Sequence, residues 1–190
     1  MKSFLNLRTA ALGLTLALAS TAAHAQTMPT PQQKVMPTPV SSKALVEPKP
    51  SPAATATGKI GATNVTVNYS SPGVKGRKIF GGLEPYGKVW RAGANEATTV
   101  EFSKAVMVEG KALPAGKYGF FVIPAEGPWT VIFNKVANQW GAYDYAEKQD
   151  ALRVTVTPRK TALTERLAYE VTPTGLVLLY EHRATAPSAR

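Results

Sequence analysis

The chain has 190 residues and a formal charge of +10, with 22 basic against 12 acidic side chains. It contains no cysteine and only two histidines, His24 and His182. That composition excludes disulfides, thiol nucleophiles, thiolate metal sites and a histidine-rich metal centre within one mature chain.

The first 25 residues read as a signal peptide. Lys2 and Arg8 supply a positive start, Ala10 to Ala22 is apolar, and Ala23-His24-Ala25 has the small-x-small pattern of a cleavage site before Gln26. The apolar stretch is shorter than the ~20 residues of a spanning helix. The expectation is therefore export to the periplasm or the medium, with no membrane span in the mature chain. Cleavage removes Lys2, Arg8 and His24, takes the formal charge from +10 to +8 and leaves His182 as the remaining histidine. Residues 26–52 follow as a Pro/Thr-rich linker, in which Met28-Pro29-Thr30-Pro31 repeats as Met36-Pro37-Thr38-Pro39. It has too few apolar side chains to build a core and is expected to be disordered.

From Ala53 onward the pattern has a period of two. Val65, Val67 and Tyr69 alternate with polar neighbours, as do Val100 and Phe102. Val106 and Val108 lead into a Glu109-Gly110 turn, and Leu113 to Tyr118 reads as a second tight turn of type II. Gly119 to Ile123 is apolar on both faces, as a central strand would be. Trp129 to Asn134, Leu152 to Thr157, Leu167 to Thr172 and Leu176 to Tyr180 complete the series. Eight or nine short strands with no long helical period predict an all-β, antiparallel, jelly-roll-like β-sandwich over residues 53–184, with 185–190 as a disordered tail.

Two segments fall outside that rhythm. Gly76 to Thr98 is far longer than the ~4–6 residues of an ordinary connection, and Asn138-Gln139-Trp140-Gly141-Ala142-Tyr143-Asp144-Tyr145 is dense in aromatic and polar side chains. Helical turns are conceivable at Gly82 to Trp90 and at Asp144 to Asp150.

Several ordered motifs are similar to a known family. They are Tyr69 to Leu83, Pro85-Tyr86-Gly87-Lys88-Val89-Trp90-Arg91, Gly93 to Thr98, Leu113-Pro114-Ala115-Gly116, Trp129 to Asn134 and Asn138 to Tyr145. From about Ser51 to Glu181 the chain resembles the bacterial domain-of-unknown-function 2911 family. Ser71 departs from the pattern, which leads one to expect Arg before the proline. The resemblance implies an exported protein and assigns no activity.

Trp90, Arg91, Asn95 and Glu96 from the first segment, with Trp140, Tyr143 and Asp144 from the second, are the candidate ligand-binding residues. Flat aromatic faces suit sugar rings, and the polar groups beside them would fix orientation. The same residues admit a structural role, with the aromatics plugging the open end of the sandwich and Arg91 paired with Glu96 or Asp144. Glu96 and Asp144 are also candidates for a hydrolytic carboxylate pair, which needs a separation of ~5–9.5 Å. Asp144, Glu147 and Asp150 lack the alternating spacing of a calcium loop, so no metal is expected. His182, an edge histidine, is a poor base for a triad. The basic run Lys75-Gly76-Arg77-Lys78 with Gly81-Gly82 does not match a P-loop. The other basic residues are scattered, whereas nucleic-acid binders concentrate charge on one face, so no nucleic-acid partner is expected.

No catalytic residue and no cofactor is assigned. The expected function is a non-catalytic envelope module binding a glycan or other small polar ligand. A structural or protein-interaction sandwich and a carbohydrate-active hydrolase are the alternatives.

Overall fold

Alternating β-branched and polar residues bury one face of a strand and wet the other, and that pattern sets most of this architecture. The structure, a computed structural model, describes residues 50–190. The expected signal peptide, residues 1–25, and all but the last three residues of the expected linker lie outside the described residues.

Strands β1 (Ala53–Ile60) and β2 (Thr63–Ser70) form a hairpin whose two-residue turn uses the left-handed φ of Gly61, 56°. Next come β3 (Thr98–Phe102), the small hairpin β4 (Val106–Val108) and β5 (Lys111–Leu113), then β6 (Gly116–Ile123), β7 (Trp129–Asn134) and β8 (Asp150–Val156). A long hairpin, β9 (Arg159–Thr172) and β10 (Gly175–Thr185), ends the series. The large sheet runs β1-β2-β3-β6-β7-β8 and is antiparallel throughout. Successive strands lie side by side, so it is a meander with one inserted hairpin in place of crossed jelly-roll connections. Glu109 and Gly110 both have positive φ, 47° and 75°, as a type I′ turn between β4 and β5 requires. The turn read at Leu113 to Tyr118 takes another form. Gly116, at φ 149°, opens β6 and does not sit inside a type II turn.

The core lies between the large sheet and the two hairpins. Val67, Val100, Phe120, Val131 and Phe133 of the sheet meet Val108, Leu113, Leu167, Tyr169, Leu178 and Tyr180 of the second layer. The all-β antiparallel fold expected from the alternation is thus the fold the chain adopts. β6 is buried on both faces, for a specific reason. Phe120 and Val122 point into the main core, while Phe121 joins Ile132 in a second, smaller cluster on the outer face. That outer cluster is covered by Val89, Ala97, Ala142 and Tyr145, all from the two long non-strand segments. Gly119 is needed beneath this cover. A Cβ there would lie 2.7 Å from the Val136 carbonyl oxygen, a close backbone approach that excludes any side chain.

Residues 185–190, expected to be a disordered tail, are part of the fold. Ser188 bridges Gly175, Ala189 bridges Val108, and Met107 and Arg190 exchange backbone hydrogen bonds of 2.8 and 3.1 Å. Unpaired edge groups of β4 are satisfied this way, and Ala189 is buried among the core residues. Of the two helical turns considered, Glu147–Gln149 forms a single 3-10 turn, whereas Gly82 to Trp90 is a chain of turns.

Candidate functional site

The long connection from Gly76 to Thr98 is mostly structure. Ile79, Phe80 and Trp90 are buried, and Phe80 packs against Trp90, Trp129 and Tyr180 with ring centroids 5.6, 4.5 and 6.1 Å away. Trp90 returns to the sheet early, exchanging backbone hydrogen bonds of 2.8 and 2.9 Å with Val122. Its indole stacks on Tyr180 at 6.2 Å, and its N–H donates to the Gly93 carbonyl. Trp90 was a candidate ligand contact. It is instead a core residue at 3% exposure, because the chain rejoins β6 at this point and turns the side chain inward.

Between Trp90 and Thr98 the chain makes an excursion of seven residues. Ala92 and Asn95 hold positive φ, 52° and 58°, a strained region for alanine and a tolerated one for asparagine. The Ala92 carbonyl accepts hydrogen bonds from Tyr169 Oη at 2.7 Å and Thr98 Oγ1 at 3.0 Å. Asn95 Nδ2 donates to Ser70 Oγ and the Ser51 carbonyl. Asn95 therefore ties the excursion to the ends of β1 and β2.

The segment Asn138 to Tyr145 docks on that excursion. Ala97 N–H donates to the Gln139 carbonyl at 3.0 Å and Gly141 N–H to the Asn95 carbonyl at 3.1 Å, with Glu96 opposite Trp140 as an antiparallel bridge. The flanking bonds make Glu96 and Trp140 a non-hydrogen-bonded pair, the type whose side chains approach most closely on one face. Beyond Tyr145 the segment is anchored by Asp150, whose side chain is 7% exposed. Its oxygens accept from Tyr145 Oη at 2.7 Å and Asn134 Nδ2 at 2.8 Å. Arg153 Nε lies 3.0 Å away, a close ion contact too bent to be a hydrogen bond. Burial, with Asp150 next, pushes the Tyr145 hydroxyl well above its ordinary range.

Beside the Glu96–Trp140 pair lies an open cleft of about 590 Å³, within the size range of small-molecule sites. Its walls are the starts of β1 and the ends of β2, with Thr55, Asn68 and Tyr69, and residues 137–140. Trp140 is 57% exposed. Gln139 donates its amide N–H to the Val136 carbonyl at 2.8 Å, which fixes its orientation and leaves Oε1 buried without a partner. Buried polar atoms are seldom left so.

Of the seven candidate residues, Glu96 and Trp140 line this cleft. Tyr143 and Asp144 are exposed but outside its lining. Arg91 pairs with neither Glu96 nor Asp144. Among the described residues both ion pairs belong to Arg153, with Glu147 and Asp150. Arg91 is half-buried near Gly141, with an unpartnered Nε. It acts electrostatically on Glu84, whose carboxyl is pushed up by burial from the ordinary 4.5 to about 7, against the opposing pull of Arg91 and Arg77. Glu96 is the single acidic residue in the cleft lining, so Asp144 supplies no second carboxylate there. Among the described residues no three His, Asp or Glu side chains gather as a metal site, and no helix is long and apolar enough to cross a membrane.

Asn68, Thr55 and Gln139 line the cleft without any local sequence signal that would pick them out. The first two are ordinary outward positions of alternating strands, and nothing local marks them.

A family model described as a protein of unknown function, DUF2911, matches residues 51–182. Comparison with curated proteins and with solved structures finds no match.

Proposed function

The chain belongs to the DUF2911 family, and from that premise we propose that it is an exported, non-catalytic binding module whose cleft takes a glycan or a similar small polyhydroxylated ligand. One observation carries the reading: an exposed Trp140 stands opposite Glu96 over a cleft also lined by the exposed Thr55 and Asn68. A sugar ring offers an apolar face to the indole and hydroxyl donors to the Glu96 carboxylate, the combination such a lining would recognise.

Intrinsic fluorescence tests it. Trp90 and Trp129 are buried, so Trp140 is the tryptophan that solvent and ligand reach. Saturable quenching or blue shift by a member of a soluble glycan panel, lost in Trp140→Ala, is expected. No saturable change with any glycan or polyol, at protein concentrations that retain the native melt, would sink the proposal. Export is checked by N-terminal sequencing of the extracytoplasmic protein, which should begin at Gln26.

The dense bonding of the two segments favours a second reading, a purely structural lock. Under that reading Trp140→Ala changes melting and no ligand is found.

A further inference from the structure

The β9–β10 hairpin loses its regular register as it runs away from its turn. Leu179 pairs with Ala168, but the next partners are Glu181 with Thr164 and Arg183 with Lys160. Each step advances two residues on β10 and four on β9, so β9 carries extra residues on both sides of Thr164. Bulges of this kind re-aim side chains. Here they set Lys160 directly across from Arg183, a like-charge opposition that destabilises a strand pair.

A third cation joins them from elsewhere in the chain. Lys78, from the basic run at the start of the long connection, lines the same concavity of about 240 Å³ as Lys160, His182 and Arg183. Phe80 and Tyr86 form its apolar side. Tyr86 lies so close over Gly81 that a Cβ there would fall 2.6 Å from its ring. Glu181 is the one acid in the lining. It sits at a strained φ of 55°, and its Oε1 accepts the Ile79 N–H at 3.0 Å. Among the described residues Lys78, Lys160 and Arg183 have no carboxylate ion-pair partner. Three positive charges thus share the lining with one negative charge already engaged by the backbone.

We propose that this concavity binds a phosphate group, free or carried as an ester. A phosphate carries ~−1.5 to −2 charges at neutral pH and three acceptor oxygens, matching the excess positive charge. Arg183 offers a planar fork to such oxygens, and the lysines act as point charges. Bound phosphate also neutralises the Lys160–Arg183 repulsion, so binding stabilises the fold by linkage. The site shares no lining residue with the Trp140 cleft and stands independently of it.

The test is an NMR titration of the protein with inorganic phosphate at constant ionic strength, with acetate as the monovalent control. Saturable amide shifts centred on Lys78, Lys160 and Arg183 are expected, with acetate weaker by more than about ten-fold. Lys160→Gln, Arg183→Gln and, from a different segment, Lys78→Gln should each weaken phosphate by about ten-fold. Unsaturable shifts, equal affinity for acetate, or phosphate binding unchanged in all three variants would overturn the proposal. Cosedimentation separates the two sources. Binding to phosphatidic acid vesicles in preference to phosphatidylglycerol vesicles of matched surface charge, lost in the same variants, identifies a phosphate carried as a monoester. Binding of free phosphate without cosedimentation identifies the free anion.

Discussion

The hydroxyl of Tyr169 donates to the carbonyl of Ala92 at 2.7 Å, joining residues 77 positions apart. Thr98 Oγ1 reaches the same carbonyl at 3.0 Å. A strained alanine is thereby held where the excursion leaves the sheet, and the Glu96–Trp140 pair stands on that excursion.

Tyr169→Phe removes a buried hydrogen bond while Thr98 still satisfies the carbonyl. The expected loss is about 1 kcal/mol. Tyr169→Phe combined with Thr98→Val leaves a buried carbonyl unpaired and should cost more than the sum of the single changes. Urea denaturation of the three variants measures this; strict additivity would show that the carbonyl is not the shared element.

The two tryptophans should behave oppositely. Trp90→Ala opens a cavity in the core and is expected to cost about 3–5 kcal/mol. Trp140→Ala, at an exposed position, should stay within about 0.5 kcal/mol. Thermal melts decide it, and equal losses at both positions would contradict the placement of Trp140 at a solvent-facing cleft.

Glu84 gives the fold a pH dependence. Its carboxyl is raised from 4.5 to about 7, so between those values the folded chain keeps a proton that the unfolded chain has released. The group's stabilising contribution is fully present below the lower value and is lost as pH rises through the upper one. Glu84→Gln stays neutral. It should flatten the slope of stability from pH 4.5 to 7 and raise stability at pH 8 by on the order of 1 kcal/mol, allowing for solvent screening of a partly buried group. Identical pH profiles for wild type and variant would rule Glu84 out as the source.

Asp150 should be the anchor of the 138–145 segment. Asp150→Ala removes one partner each from Asn134, Tyr145 and Arg153, which keep their bonds to Ala146, to each other and to Glu147, at an expected cost of about 2–3 kcal/mol. Asp150→Asn, which keeps an acceptor, should cost less. Hydrogen exchange provides the local readout: the Ala97 and Gly141 amides, which carry the bridge, should lose protection in Asp150→Ala.

The candidate site was legible at the level of segments. Gly76 to Thr98 and Asn138 to Tyr145 stood out by length and composition, and they do pack together. Individual roles were less legible. Trp90 and Trp140 are both tryptophans next to Arg or Gly in irregular chain, yet one is core and the other cleft. Only the early return of the chain to Val122 separates them, and that pairing has no local signature.

Alternation of apolar and polar residues is a property of neighbours in sequence, and it determined the strands, the antiparallel sheet and the Glu109-Gly110 turn. The double-sided apolar run of β6 likewise announced a covered central strand. What only the tertiary structure decided is which distant groups meet. Lys160 faces Arg183 because of two shifts in register, Arg153 and not Arg91 forms the ion lock, and residues 185–190 complete an edge. The first and last depend on pairing across tens of residues, and the ion lock, three and six positions apart, depends on how the chain turns into β8, so through-space approach and not sequence spacing chooses the partner.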